Sequence, residues 1–346
     1  MHPRDVLLGP QGGGVAIPVC DHYSGVEARM RKSLQLQAEM TDEFGACVFD
    51  VTLDCEDGAP VGGEADHAAM VVALAKEARV DARIAVRVHA VDHPSFEADI
   101  ATIAGAVGGR LSHIMVPKVE SAQDVRRAEQ ALRAAGAEHL PIHVLIESPA
   151  AVHQAFEVAA HPRVQSISFG LMDFVSAHGG AIPASAMGAR PDADGIDQFS
   201  HPLVLRAKLA IASACHAHGK VPSHCVVTEF TDTAVMHTAA RTAARQLGYT
   251  RMWSIHPAQI RPILAAFTPE ARAVDDACTI LLAAEAAAWA PVSVRGQLHD
   301  RASYRYYWQV LERAAQTGCQ LPPEMARHFQ RQAPAVPVQN LAPAVH

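Results

Sequence analysis

The stretch from Ile142 to Asp173 constrains the fold more than any other. A short apolar run ends in Ile146-Glu147, a helix-like segment follows, and a second run ends in Phe169-Gly170-Leu171-Met172-Asp173. The two carboxylates lie 26 residues apart. That is close to one strand-helix repeat of a parallel α/β fold, so Glu147 and Asp173 are expected side by side at the same end of adjacent strands. Two readings fit this placement. Either the pair offers hard oxygen ligands to Mg2+, which takes one or two protein carboxylates and leaves its other positions to water and substrate, or each acid caps the helix that follows it.

The remainder of the chain repeats the unit. Apolar runs are read at Val15 to Cys20, Ala46 to Leu53, Arg83 to His89, His113 to Val119, Lys220 to Val227 and Arg251 to Ile255. Together with the opening pair they make eight. Helical periodicity is read over Val26 to Phe44, Ala65 to Ala78, Ala122 to Ala135 with Gly136 as its stop, Leu203 to His218 and Asp232 to Leu247. Eight branched-aliphatic runs alternating with amphipathic segments are what a closed parallel barrel requires. The expected class is therefore α/β, a (β/α)8 TIM barrel with a C-terminal helical extension, and an open doubly wound sheet is the alternative. At 346 residues and 49% hydrophobic content the chain can bury a core of that size. The expected division is a catalytic barrel over 1–290, a closing segment over 291–332 and a disordered Pro/Ala-rich tail over 333–346.

The polar residues favour the barrel. Asp54, Arg87, Lys118, Glu147, Asp173 and His256 all fall at or just past the C-terminal end of a predicted strand, where barrel loops build active sites. About 29 residues rich in Gly, Ala, Pro, Asp and His separate Asp173 from the helix near Leu203. Connections of that length serve as covers or as surface insertions, and the sequence is compatible with both. Past the barrel, Thr268 to Ala288 reads as an Ala-rich helix, and Val292 to Thr317 carries the cluster Tyr304-Arg305-Tyr306-Tyr307-Trp308.

Composition excludes several function classes. A formal charge of -7, a pI near 6.3 and the lack of a basic run interleaved with aromatics argue against a nucleic-acid surface. No apolar run approaches the roughly 18 residues of a membrane span, and the first 30 residues lack signal-peptide order. A cytoplasmic protein with a small-molecule partner is expected. Seven cysteines without a C-x-x-C pair disfavour a zinc site and a disulfide framework. His216 and His218, two apart on a helix, do not share a face and are read as surface.

Several strings carry a resemblance when taken in order: Leu53-Asp54-Cys55-Glu56-Asp57, Val86-Arg87-Val88, Met115 to Glu120, Ile146-Glu147, Gly170 to Asp173, Ile255 to Ile260, and Arg295-Gly296 through Asp300. Over roughly residues 46 to 315 the chain resembles the HpcH/HpaI aldolase/citrate lyase family, in its citrate lyase β-subunit and malyl-CoA lyase branch. The resemblance implies a (β/α)8 barrel in trimers or hexamers, with a C-terminal segment closing over a neighbour's site. It implies Mg2+ held at Glu147 and Asp173, substrate carboxylate bound by Arg87, and a catalytic Asp300 from the adjacent subunit.

Elementary chemistry fits these roles. Cleaving a 3-hydroxyacyl thioester passes through an enolate, and an ion chelated by the hydroxy oxygen and adjacent carboxylate lowers the hydroxyl pKa and polarises the carbonyl. Arg87 can fork a carboxylate, or pair with Glu56 or Asp57. Asp300 is expected to move the proton on the acetyl-type carbon, or to be a surface acid beside Arg301. Asp54 is counted with the catalytic residues and, with Glu56 and Asp57, as a group that orients metal-bound water or Arg87. Lys118 and His256 are candidates for binding substrate, Lys118 more readily as an ion pair than as a Schiff base. In the family the first strand usually leads into a Pro-Gly turn with a basic residue close behind; here Asp21 and His22 follow Cys20, and His89 replaces a common Asn.

Three activities are compatible with these features. The favoured one is a Mg2+-dependent carbon-carbon lyase on malyl-, citramalyl- or citryl-like CoA, releasing an acyl-CoA and a 2-keto acid. The others are a metal-dependent aldolase giving pyruvate from free 4-hydroxy-2-keto acids, and a subunit needing an acyl-carrier partner.

Overall fold

The computed structural model describes residues 2–9, 17–59 and 61–329. Contacts divide the chain into two compact units, one of residues 13–269 with 316–318, the other of 1–12, 270–315 and 319–346. The division falls before Glu270, whereas the sequence reading set the barrel's end at 290. The tail 333–346 lies outside the described residues.

The first unit is a closed eight-stranded parallel barrel: β1 Cys20–Ser24, β2 Phe49–Asp54, β3 Ile84–Arg87, β4 Leu111–Val116, β5 Ile142–Ile146, β6 Val164–Phe169, β7 Val221–His224 and β8 Arg251–Ser254. Each strand pairs with the next, and β8 returns to β1 through Cys20 opposite Met252. Seven of the eight strands fall within the runs expected from the sequence or overlap them closely. The first does not: it begins at Cys20, where the expected run Val15 to Cys20 ends, and Val15 and Ala16 lie outside the described residues. The shift puts Asp21 and His22 inside β1, at 1% and 2% exposure, rather than in the turn after it. The open doubly wound alternative is excluded by the β8–β1 pairing.

Local chemistry sets where the helices start. Ser121 accepts the Gln123 amide in a capping box with Asp124 ahead of the helix Ala122–Ala134, and Asp232 caps Thr233–Gln246. Ser148 accepts the Ala151 amide at 3.0 Å and starts Pro149–His153 directly after Glu147. The connection after Asp173 is not structureless. Asp173 sits in the first turn of a helix, Leu171–Ser176, and a short 3-10 turn covers Ala184–Met187. Buried Ile182, Ala186 and Gln198 hold this connection down, and the fully buried Lys208 donates to Gln198 Oε1 at 2.8 Å. The connection is packed against the barrel, against the reading of a mobile surface insertion.

The barrel interior contains a feature that the apolar reading of the strands did not anticipate. Arg251 on β8 pairs with Asp21 on β1 at 2.8 Å and with Asp50 on β2 at 2.7 Å, and donates to the Pro18 carbonyl at 2.6 Å. Arg83 pairs with the other oxygen of Asp50, and Thr52 donates to Asp21 at 2.6 Å. His113 on β4 and His143 on β5 stack with centroids 3.5 Å apart, and His113 Nε2 is 3.8 Å from Asp21. Because Arg251–Asp50 joins β8 to β2 and His113–Asp21 joins β4 to β1, strands that are not neighbours, the groups meet within the lumen. Two arginines balance two aspartates there, leaving the histidines to stay neutral.

The second unit has its own core. Helices Ala271–Ala286 and Arg301–Gln316 bury Val274, Leu281, Tyr304, Trp308 and Leu311, and β9 Val292–Val294 pairs antiparallel with β10 Gln297–His299. Tyr304 and Trp308 from the aromatic-basic cluster are therefore core residues, while Tyr306 is exposed. Among the described residues no helix is long and apolar enough to cross a membrane.

The lumen histidines make stability depend on pH. Burial holds His143 down near 3 and His113 well below its ordinary value. Below about pH 6.5 the unfolded chain binds protons that the native state refuses. Stability is thus complete above about pH 6.5 and falls towards pH 3, by about 1.4 kcal/mol per unit for each histidine. Urea unfolding across this range should show the decline, and the double variant His113→Gln/His143→Gln should flatten it; equal slopes in both proteins would contradict the assignment.

Candidate active site

The C-terminal ends of β2 to β6 gather most of the residues expected to be functional. Glu147 follows β5 and is 4% exposed. Its Oε1 accepts the Lys118 amide at 3.1 Å, an approach made by a left-handed turn in which Lys118 has φ +51°. Gly170 forms the other wall: a Cβ there would lie 2.5 Å from Glu147 Cγ. Asp173, exposed in the first turn of its helix, brings its carboxyl against that of Glu147. Burial, then the hydrogen bond and charge of Asp173, push the Glu147 carboxyl up to about 9. Two carboxyl groups share one place, and a proton or a cation must relieve them.

Arg87, at the end of β3, faces this pair, and its side chain is strongly buried. Nε and Nη2 fork onto Asp54 at 2.7 and 2.9 Å, and Nη1 meets Glu56 at 2.9 Å. The guanidinium carbon lies 4.5 Å from the centroid of the Tyr23 ring, which stacks in turn on Trp253. Burial lowers Arg87 to about 10, against the charges of Glu147 and Asp173, so it remains a cation. Two of its five N–H donors make hydrogen bonds, both to Asp54, and Nη1 makes only an ion-pair contact with Glu56, so N–H groups are left for a ligand. The fork expected to hold substrate is thus directed at Asp54, and the expected Glu56 pairing is present as well.

Asp54 is fully buried and saturated. Besides Arg87 it accepts the Glu56 amide at 3.0 Å and the Gly58 amide at 2.6 Å, and a Cβ at position 58 would lie 2.3 Å from its Oδ2. Burial drives the Asp54 carboxyl up, to about 8, while the amides oppose the shift. The guanidinium fork decides the balance, because an arginine that keeps its proton holds the pair ionised. With its lone pairs taken by Arg87 and the two amides, Asp54 is placed to orient Arg87, one of the two roles that the sequence suggested for it.

Lys118 Nζ pairs with Glu56 and lies 3.3 Å from Asp57. Burial is the largest single influence and lowers its pKa, but the Glu56 hydrogen bond and the charges of Glu56, Asp57 and Glu147 together outweigh burial and raise the pKa. It is an ion-paired lysine, unsuited to a Schiff base. His256 caps the helix Pro257–Phe267, its Nδ1 accepting the Ala258 amide at 3.2 Å and its ring stacking on Phe230. Asp300 belongs to the other unit, where it accepts the Ala302 and Ser303 amides at the start of Arg301–Gln316. Sequence reasoning missed Tyr23, Trp253 and the His89–Asp99 pair; the aromatics at the ends of β1 and β8 were a signal available in the strand pattern.

Two clusters could be considered for a metal. Asp21, His113 and His143 bring potential ligand atoms within 4.8 Å of one another. Their imidazoles, however, lie 14° from parallel at 3.5 Å. An ion bound about 2.0 Å from a ring nitrogen lies near the ring plane and cannot lie in both planes. Glu147 and Asp173 fit better: hard oxygens, like charge uncompensated between them, and an opening to solvent through Asp173.

A family model of the HpcH/HpaI aldolase/citrate lyase proteins matches residues 34–257. The chain belongs to the HpcH/HpaI aldolase/citrate lyase family. Within it, the chain is 34% identical over 215 residues to an L-malyl-CoA/beta-methylmalyl-CoA lyase of Cereibacter sphaeroides, an alignment covering 59% of this chain and 66% of that one. It is 30% identical over 258 residues to a citrate lyase subunit beta-like protein of Deinococcus radiodurans, covering 72% and 84%. A crystal structure of a citrate lyase from Burkholderia xenovorans LB400 superposes with a TM-score of 0.74 at 47% identity, over 92% of this chain and 98% of that one. The CitE protein of Mycobacterium tuberculosis, solved with magnesium, acetoacetate and coenzyme A, shares the fold with a TM-score of 0.61 at 21% identity, over 87% and 99%. The family match includes Arg87, Glu147 and Asp173 and ends before Asp300.

The wall at Gly170 allows a test that changes neither carboxylate residue. Gly170→Ala forces Glu147 to shift, because the new methyl overlaps Cγ. Mn2+ or Mg2+ affinity, read by calorimetry, should fall by about tenfold or more, as when support of a ligand is lost, with unchanged circular dichroism. Undiminished affinity would show that the ion does not use Glu147.

Proposed function

We propose that the protein is a Mg2+-dependent carbon-carbon lyase that cleaves a 3-hydroxyacyl-CoA of the malyl, citramalyl or citryl type into an acyl-CoA and a 2-keto acid. The observation that carries this reading is the buried Glu147 facing Asp173 beside an arginine that keeps N–H groups for a ligand. Its relatives include lyases of malyl-CoA and citramalyl-CoA. When bound between Glu147 and Asp173, the ion would polarise the oxygen at the carbon that becomes the keto group.

The chain's own residues do the remaining work. The free N–H groups of Arg87 bind the carboxylate next to that carbon, and Asp54 and Glu56 hold the guanidinium rigid so that little orientation is lost on binding. The Lys118 amide and the Gly170 wall fix Glu147. Asp300, contributed by a neighbouring protomer of a trimer or hexamer, is proposed to move the proton on the acetyl-type carbon. With Asp21 and His22 withdrawn into β1, the turn after the strand is Gly25-Val26 with the exposed Arg29 close behind, which supports coenzyme A over a free hydroxy acid as substrate. All seven cysteines are free, which supports a cytoplasmic setting.

The test is turnover of malyl-, citramalyl- and citryl-CoA with and without Mg2+, trapping the keto acid as a hydrazone. Product should require the ion and fall to background in Glu147→Ala and Asp173→Ala. Folded, Mg2+-binding protein that is silent on every thioester would overturn the reading, and release of pyruvate from free 4-hydroxy-2-keto acids would then identify the aldolase.

A further inference from the structure

The end of β3 carries a second polar arrangement, two residues beyond Arg87. Ladder bonding continues past the strand, with the Val88 amide donating to the Met115 carbonyl at 3.1 Å, and Val88 is buried in the core. His89 thus lies just past the C-terminal end of β3, the end at which barrel loops build active sites. Its Nδ1 is 2.6 Å from Asp99 Oδ2, and the same oxygen accepts the His89 backbone amide at 3.1 Å. Asp99 is itself 2% exposed.

A carboxylate can only accept, so the proton of the neutral imidazole is on Nδ1 and the lone pair is on Nε2. That nitrogen makes no hydrogen bond among the described residues and is not sealed from solvent. The other groups around the ring are His93, stacked at 4.1 Å, and Glu64, whose carboxyl is influenced by both imidazoles; Cys55 lies near Asp99. His256 is configured the opposite way. Its Nδ1 accepts a backbone amide, which places the proton on Nε2 and makes that nitrogen a donor.

We propose that His89 is the base that takes the hydroxyl proton of the substrate, with Asp99 as its positioning residue. The proposal rests on the lyase reading above. As the hydroxyl proton passes to Nε2, the O–H pair becomes the second bond of the new keto carbonyl. The pair of the breaking carbon-carbon bond moves into the thioester as its enolate. An acid, for which Asp300 is the candidate, then protonates the enolate carbon and recovers its proton from imidazolium through solvent. No net proton is gained or lost.

The experiment compares wild type, His89→Asn, His89→Ala and Asp99→Asn on whichever hydroxyacyl thioester the wild type cleaves, across a pH range spanning the imidazole titration. Asparagine can still donate to Asp99, so folding is expected to survive. In His89→Asn, kcat should fall by about a hundredfold or more with KM little changed, and the acidic limb of the wild-type profile should disappear. Added imidazole should restore part of the rate of His89→Ala. Asp99→Asn should lower kcat without abolishing the limb. Retained kcat and limb in His89→Asn, or a change in KM alone, would overturn the assignment while leaving the lyase reading intact. Absence of wild-type turnover on every thioester would overturn both.

Discussion

Closure of the barrel depends on Arg251. From the last strand it reaches the first two, pairing with Asp21 and Asp50 and with the carbonyl of Pro18, while Arg83 completes the pairing of Asp50. Hydrophobic burial would pull any two sheet edges together, but it does not specify which strand meets which. A fork of fixed geometry in a water-free lumen does so, since a slipped register would leave a buried charge alone at a cost of about 3–5 kcal/mol. The four charges sum to zero, and the neighbouring histidines can therefore be neutral without leaving the layer charged.

The opposite end of the lumen follows a different rule. Between Glu147 and Asp173 the charges do not sum to zero within the pair, and Arg87, already committed to Asp54 and Glu56, answers them only from a distance. Aromatic packing of Tyr23 on Trp253, with Arg87 above, holds the boundary between the two layers. Below it every charge has a fixed partner; above it partners are left to the ligand. Stability and chemistry are thereby separated along the barrel axis, as is general for this architecture.

How much of this was legible in the sequence follows from what each signal encodes. Strand periodicity and the spacing of Glu147 and Asp173 report backbone placement, and both the eight strands and the meeting of the two carboxylates were readable from them. The start of β1 was not, because Pro18-Val19-Cys20 is as apolar as a strand, and only pairing with β2 and β8 shows that the strand begins at its end. Where the lone pairs of Asp54 point was hidden for a related reason. A strand-end acid looks the same whether its lone pairs face solvent or are filled by Arg87 and the amides of Glu56 and Gly58. The polar groups of the lumen were present as single residues within or beside apolar runs, Asp21, Asp50, His113, His143 and Arg251, but pattern reading averages over such interruptions. Their partners lie on strands far apart in sequence, so no local window contains a pair.

Histidine shows most clearly how context, rather than residue type, sets chemistry in this fold. His113 and His143 are stacked in a dry layer already holding two guanidinium groups, so neither can take a proton without an uncompensated charge. At the mouth, His89 and His256 each have one nitrogen fixed by the protein and the other left open. A carboxylate fixes the first ring and a backbone amide the second, and these partners have opposite hydrogen-bonding sense. In the neutral tautomer that each partner selects, the open nitrogens therefore differ: one is an acceptor and the other a donor, although both are imidazoles of one barrel.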